Sequence, residues 1–210
     1  MAVTRVKICG ICRVGDARLA VELGASAIGF VFWPGSPRYI APAEARDIAA
    51  HLPAHVTAVG VFVDQPAEYV AEVAELVPLG AVQLHGSESI EAFADVRQPV
   101  IKAVQVGEGF QTATIDRWPA SVTVLLDAHD PIRRGGTGRT IDWTLAAAVA
   151  RQRPTILSGG LTAANVAEAI ARVQPQMVDV SSGVESAPGR KDPDKLREFF
   201  AAVSSVVSHS

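Results

Sequence analysis

The sequence is short of several things. Cysteine occurs only twice in 210 residues, as Cys9 and Cys12, which is no disulfide framework for a chain this long. The same count excludes a four-thiolate zinc site. The five histidines, His51, His55, His85, His129 and His209, fall at no metal-ligating spacing, so no metal is expected. Aromatic residues make up 6%, so the core has to be built from small aliphatic side chains. A net charge of −3 argues against a broad cationic surface for nucleic acid. No apolar run approaches the ~20 residues needed to span a bilayer, and no basic-then-apolar leader opens the chain. No Gly/Ser linker or charge block divides it. These absences predict one soluble, cytoplasmic domain over 1–210, with 204–210 as a frayed tail and neither nucleic acid nor membrane as partner.

What the chain does have is a repeated alternation of short apolar runs and helical segments. The runs are Arg5–Cys9, Ala27–Phe32, Val56–Val63, Ala81–Leu84, Val100–Val104, Val122–Leu126, Thr155–Leu157 and Met177–Val180. They are continuously apolar, as expected for parallel strands buried on both faces. Helices are predicted over 16–23, 42–51 (with proline at its favoured first position), 67–76, 87–95, 110–118, 143–150, 163–173 (capped by Thr162) and 193–203. Eight strand–helix pairs over this length fit a closed (β/α)8 TIM barrel. An open doubly wound sheet would carry a Gly-x-Gly-x-x-Gly turn after its first strand; Cys9-Gly10-Ile11-Cys12-Arg13 stands there instead.

Active sites of such barrels lie at the C-terminal ends of the strands. Cys9 and Asp127 end strands one and six, so both are expected at that rim. A thiolate can take a proton from carbon and a carboxylic acid can deliver one to oxygen, a pair suited to sugar isomerisation. An ordinary thiol titrates near ~8.5, so Cys9 would need a lowered value to act near neutrality. Taken singly, each residue has a plainer reading: a small buried hydrophobe for Cys9, a turn or cap residue for Asp127. Ser158-Gly159-Gly160-Leu161-Thr162 and Ser181-Ser182-Gly183-Val184-Glu185 follow strands seven and eight, where barrels commonly bind phosphate. Gly159, Gly160, Ser182 and Gly183 are therefore candidate phosphate-binding residues. Gly135-Gly136-Thr137-Gly138 is a third glycine segment able to close over the same group. Arg38, in the loop after strand two, could pair with a substrate carboxylate. His85 and His129 follow strands and are candidates for the pocket wall. Asp179 reads as structural support, and Lys7 and Arg13 as side chains pointing elsewhere. Cys9-x-x-Cys12 matches a redox motif, but eight repeats do not suit a thioredoxin-like fold.

Read together, these segments closely resemble the phosphoribosylanthranilate isomerase family. The matching pieces run from end to end: Lys7-Ile8-Cys9-Gly10-Ile11, Gly29-Phe30-Val31-Phe32, Ser36-Pro37-Arg38-Tyr39-Ile40, Val59-Gly60-Val61-Phe62-Val63, Val82-Gln83-Leu84-His85-Gly86, Leu125-Leu126-Asp127, Gly135-Gly136-Thr137-Gly138-Arg139, Asp142-Trp143, Leu157-Ser158-Gly159-Gly160-Leu161, and Val178 through Glu185 with Pro188-Gly189. The resemblance implies an Amadori rearrangement in tryptophan biosynthesis, with Asp127 as general acid and Cys9 as general base. It also implies Arg38 on the anthranilate carboxylate and the backbone around Gly159, Gly160, Ser182 and Gly183 on the phosphate. No cofactor is implied, the partner is a small phosphorylated substrate, and the assembly is a monomer or homodimer. Related histidine-pathway isomerases resemble the same fold but place Asp at the end of strand one, so Cys9 discriminates against them. The Lys/Glu catalytic set of indole-glycerol-phosphate synthase is not apparent. Retention of both Cys9 and Asp127 speaks against a non-catalytic phosphate sensor. The family usually has Thr where this chain has Cys12, which raises the hypothesis that oxidation joins Cys9 to Cys12 and silences the base.

Overall fold

The computed structural model describes residues 4–106, 110–128 and 142–207. Eight parallel strands close into a barrel in sequence order. They are β1 (Arg5–Cys9), β2 (Ala27–Val31), β3 (Thr57–Phe62), β4 (Ala81–Leu84), β5 (Val100–Val106), β6 (Thr123–Ala128), β7 (Thr155–Leu157) and β8 (Met177–Val180). The helices are α1 (Val14–Glu22), α2 (Pro42–Ala49), α3 (Ala67–Leu76), α4 (Ala113–Asp116), α5 (Trp143–Ala150), α6 (Val166–Val173) and α7 (Pro193–Val207). Closure comes from β1 pairing with β8, where Lys7 lies opposite Asp179.

Although both faces of the strands are apolar, successive side chains divide between two cores, as the period of two requires. Ala27, Val59, Ala81, Ile101, Leu125, Ile156 and Met177 fill the barrel interior. Ile8, Ile28, Phe30, Phe62, Val82, Leu84, Leu126 and Val178 face outward into the layer shared with the helices. One level above the interior layer, Cys9, Val31 and Val61 form a small cluster with Trp33. The same alternation that fills the barrel therefore carries Cys9 to its upper rim.

The structure departs from the sequence-based expectations in four places. The helix expected over 87–95 is only a 3₁₀ turn, Ile90–Phe93. The segment before it is held by ion pairing instead: Lys102 Nζ donates to Glu88 Oε2 at 2.7 Å and to the Gly86 carbonyl at 2.8 Å. The helix expected over 110–118 is one turn, α4. Thr162 does not cap α6, which starts later, at Val166. Asn165 instead accepts from the Thr162 N–H at 2.8 Å and donates to the Gly160 carbonyl at 2.9 Å. Finally, α7 runs through Val207, so residues 204–207 of the expected tail are helical.

One element was not expected from the sequence. A 3₁₀ turn, Ser182–Val184, leads into a two-stranded hairpin, β9 (Glu185–Ala187) and β10 (Arg190–Lys191). This hairpin leans back over the start of the chain, because the Lys191 N–H donates to Asp16 Oδ2 at 3.0 Å.

Candidate active site

A cavity of about 640 Å³ opens at the C-terminal ends of the strands. Cys9, Arg38, Gln83, His85, Asp127, Asp179 and the loops over 158–161 and 180–183 all line it. The structure thus brings together, on one wall or another, Cys9, Asp127, Arg38, Gly159, Gly160, Ser182 and Gly183. His129 and the segment Gly135–Arg139 lie outside the described residues. His51 is exposed and hydrogen-bonds the Asp47 carbonyl through Nδ1.

The wall built by β4 and β6 is a hydrogen-bonded chain. The buried Gln83 amide donates through Nε2 to His85 Nδ1 at 2.8 Å, and His85 Nε2 lies 3.2 Å from Asp127 Oδ2. With Nδ1 accepting, the imidazole proton sits on Nε2 and points at Asp127. Gln83 Oε1 is buried and has no partner among the described residues. Sequence reading placed His85 at the pocket but gave Gln83 no role of its own; its position two residues before His85 on an inward-facing strand was the available signal.

The wall built by β1, β8 and the hairpin carries charge. Glu185, buried, accepts from Arg38 through Nε at 2.9 Å and Nη2 at 2.7 Å. It also accepts from Lys191 Nζ at 2.8 Å. Burial favours the neutral acid, but Arg38 and Lys191 outweigh it and hold the Glu185 carboxyl below the usual range. Burial likewise lowers Lys191, and Glu185 only partly restores it. One edge of the Arg38 guanidinium is therefore already engaged, which leaves Nη1 and the second Nη2 proton for an incoming anion. Sequence reading found Arg38 but missed Glu185 as its partner and Lys191 entirely, because a contact across a hairpin leaves no periodic signal.

Cys9 is buried at the rim. Burial pushes its thiol above the ordinary value, and Asp179 adds to that, against Lys7 and Lys191, which favour the thiolate. Desolvation outweighs the cations, so the lowered value that Cys9 would need to act near neutrality is not set by these side chains alone. Both cysteines are free. Cys12 turns away to the Arg38 carbonyl, 3.3 Å from its Sγ. Lys7 does not point elsewhere, as the sequence suggested. It is wholly buried inside the barrel, with Nζ 2.8 Å from Asp179 Oδ1.

The two glycine loops meet main chain to main chain. Gly159 and Gly160 adopt positive φ, 86° and 65°, conformations open to glycine at little cost. At Gly183 a Cβ would run into the Leu161 carbonyl. Asn165 then ties this corner down by bonding both Gly160 and Thr162. The result is a corner where main chain from both loops lies close together, beside Ser158 and Ser182.

A family model described as N-(5'phosphoribosyl)anthranilate (PRA) isomerase matches residues 6–202. The N-(5'-phosphoribosyl)anthranilate isomerase of Geobacter metallireducens is 50% identical over 196 residues, covering 93% of this chain and 96% of that protein. The crystal structure of phosphoribosyl anthranilate isomerase from Thermotoga maritima is 45% identical with a TM-score of 0.89, over 96% of this chain and 99% of the other. A crystal structure of a phosphoribosyl anthranilate isomerase in complex with reduced 1-(o-carboxyphenylamino)-1-deoxyribulose 5-phosphate is 43% identical, with a TM-score of 0.85 over 96% and 99% of the two chains. Family model, relatives and barrel agree, and the chain belongs to the phosphoribosylanthranilate isomerase family.

Proposed function

We propose that this pocket converts N-(5-phosphoribosyl)anthranilate to 1-(2-carboxyphenylamino)-1-deoxyribulose 5-phosphate, with Asp127 as general acid and Cys9 as general base. The observation that carries the assignment is that both residues line one cavity from strands β6 and β1. In this reading Asp127 gives its proton to the ribose ring oxygen, and the ring opens to a protonated Schiff base. The Cys9 thiolate then takes the C2 proton, and the C2–H electron pair moves toward nitrogen to leave an enolamine. The enolamine tautomerises to the ketone. Proton transfers on one bound molecule account for the change, so no cofactor is invoked.

The rest of the pocket suits the rest of the substrate. The corner formed by Gly159, Gly160, Ser182 and Gly183 follows strands seven and eight, where barrels recurrently hold phosphate. Arg38, oriented by Glu185, is placed to pair with the anthranilate carboxylate. Trp33, Val31 and Val61 offer an apolar wall for the aromatic ring. The assembly is a monomer or a homodimer. Among the described residues no helix is long and apolar enough to cross a membrane. Two free thiols suit a reducing compartment, and we place the enzyme in the cytoplasm.

The test is turnover. Phosphoribosylanthranilate is generated in situ and its fluorescence loss is followed with wild type, Cys9→Ser and Asp127→Asn. Each variant is expected to lose roughly 10²–10⁴-fold in rate. Full activity in Cys9→Ser would remove the thiol from the mechanism, and full activity in Asp127→Asn would remove the acid.

A further inference from the structure

Lys7 has no accessible surface. It precedes Cys9 by two residues on β1, so both side chains project into the barrel. Directly opposite on β8 stands Asp179, whose Oδ1 lies 2.8 Å from Lys7 Nζ. The other carboxylate oxygen accepts from Ser158 Oγ at 3.2 Å. On the other side of Cys9, its register partner on β2 is Gly29. A Cβ on Gly29 would stand 3.0 Å from Cys9 Sγ and 3.2 Å from Lys7 Nζ. The thiol and the ammonium therefore both border the space that one methyl group on Gly29 would fill.

A buried ammonium is costly unless it is paired, and Asp179 supplies the pairing. It does so at a point where the same ammonium can also serve a second anion. The groups facing Cys9 are then Lys7 from its own strand, Asp179 from β8 and Lys191 from β10, with Arg38 from the loop after β2 also within electrostatic reach. Lys191 bonds the Cys9 carbonyl at 2.6 Å and is already committed to Glu185. Across the cavity, His85 and Asp127 pair with each other.

We infer that Lys7 is a positioning residue for the base, a buried ammonium shared between Asp179 and the Cys9 sulfur that stabilises the thiolate, with Asp179 as the opposing control. With the thiol protonated, Lys7 belongs to Asp179. When the thiol loses its proton to solvent, the same ammonium faces two anions and balances the new charge without moving into water. When the sulfur lone pair then takes the C2 proton, the negative charge leaves and Lys7 reverts to Asp179. Lys7 never touches the substrate in this scheme. The inference rests on the reading of Cys9 as the base.

The test reads the thiol directly. In a Cys12→Ser background, the rate of Cys9 alkylation by iodoacetamide is followed from pH 6 to 11, beside the pH profile of kcat/KM. The ordinary protein sets the midpoint. Lys7→Met is expected to move the alkylation midpoint up by about one pH unit, which means a roughly tenfold smaller thiolate fraction at neutral pH. Asp179→Asn is expected to move it down. The kcat/KM profile should shift with the alkylation midpoint in each case. Unmoved midpoints, or shifts of one sign in both variants, would overturn the inference and leave Lys7 as barrel filling. If Lys7→Met does not fold, the double variant Lys7→Met with Asp179→Asn, which buries no lone charge, takes its place: a midpoint above that of Asp179→Asn alone supports the inference, and an equal midpoint overturns it. Alkylation also separates this idea from the proposed function: Cys9→Ser with full activity sinks the base assignment, whereas opposite shifts of the thiol midpoint establish the coupling by themselves.

Discussion

The two walls of the cavity solve different electrostatic problems. The wall of β1, β8 and the β9–β10 hairpin holds three cations, Lys7, Lys191 and Arg38, against two carboxylates, Asp179 and Glu185, all within hydrogen-bonding distances of 2.7–2.9 Å. The wall of β4 and β6 is a chain of an amide, an imidazole and one carboxyl group. A thiol whose ionised form must exist in a dry place needs fixed charge around it. The contrast teaches that one rim can hold its polar groups in two ways, by paired charges on one wall and by a relay of hydrogen bonds on the other.

The comparison breaks most visibly at Glu185. Glu185→Gln leaves Arg38 and Lys191 without their shared anion, and the expected loss is about 3 kcal/mol of stability, read as a lower urea midpoint. Arg38 also loses its orientation, so KM should rise more than kcat falls. A smaller effect is expected on the other wall. His85→Ala removes two hydrogen bonds, and about 1 kcal/mol should be lost. Equal losses for the two variants would abolish the distinction between the walls. The smallest effect is a pH dependence. Glu185 is held below its unfolded value, so its contribution to stability is fully present above the ordinary glutamate range near ~4.3. That contribution fades as pH falls through the lower, folded value. Denaturation midpoints of wild type and Glu185→Gln should therefore converge below pH 4 and stay separated by a constant gap above pH 6.

Much of the frame was legible in the sequence, for a physical reason. Strands buried on both faces are short apolar runs, and β1, β4, β7 and β8 fall where the composition puts them. The helices α3 and α5 also match, because their apolar spacing and flanking residues act locally. The segments after β4 and β5 were misread as full helices. Their patterns were helical, but ion pairing by Lys102 and Glu88 takes over after β4, and tertiary partners of that kind are invisible to periodicity. The cap of α6 was misplaced by three residues, since Asn165 bonds back toward the glycine loop as well as to Thr162. Among site residues, strand ends gave Cys9 and Asp127, whereas Lys7, Glu185 and Lys191 were missed. Each of these is defined by a partner far along the chain, and charged residues at such positions read locally as solvated.

The bond from Lys191 Nζ to the Cys9 carbonyl joins residues 182 positions apart, and it has a consequence for the life of the newly made protein. Cys9 leaves the ribosome 182 residues before the lysine that seats it. Until the hairpin of β9 and β10 has emerged and β8 has closed on β1, the thiol has neither its walls nor its counter-charges. A nascent chain therefore carries this thiol bare while the residues between Cys9 and Lys191 are made, exposed to any electrophile or oxidant in its surroundings, and only the emergence of the hairpin brings it under cover.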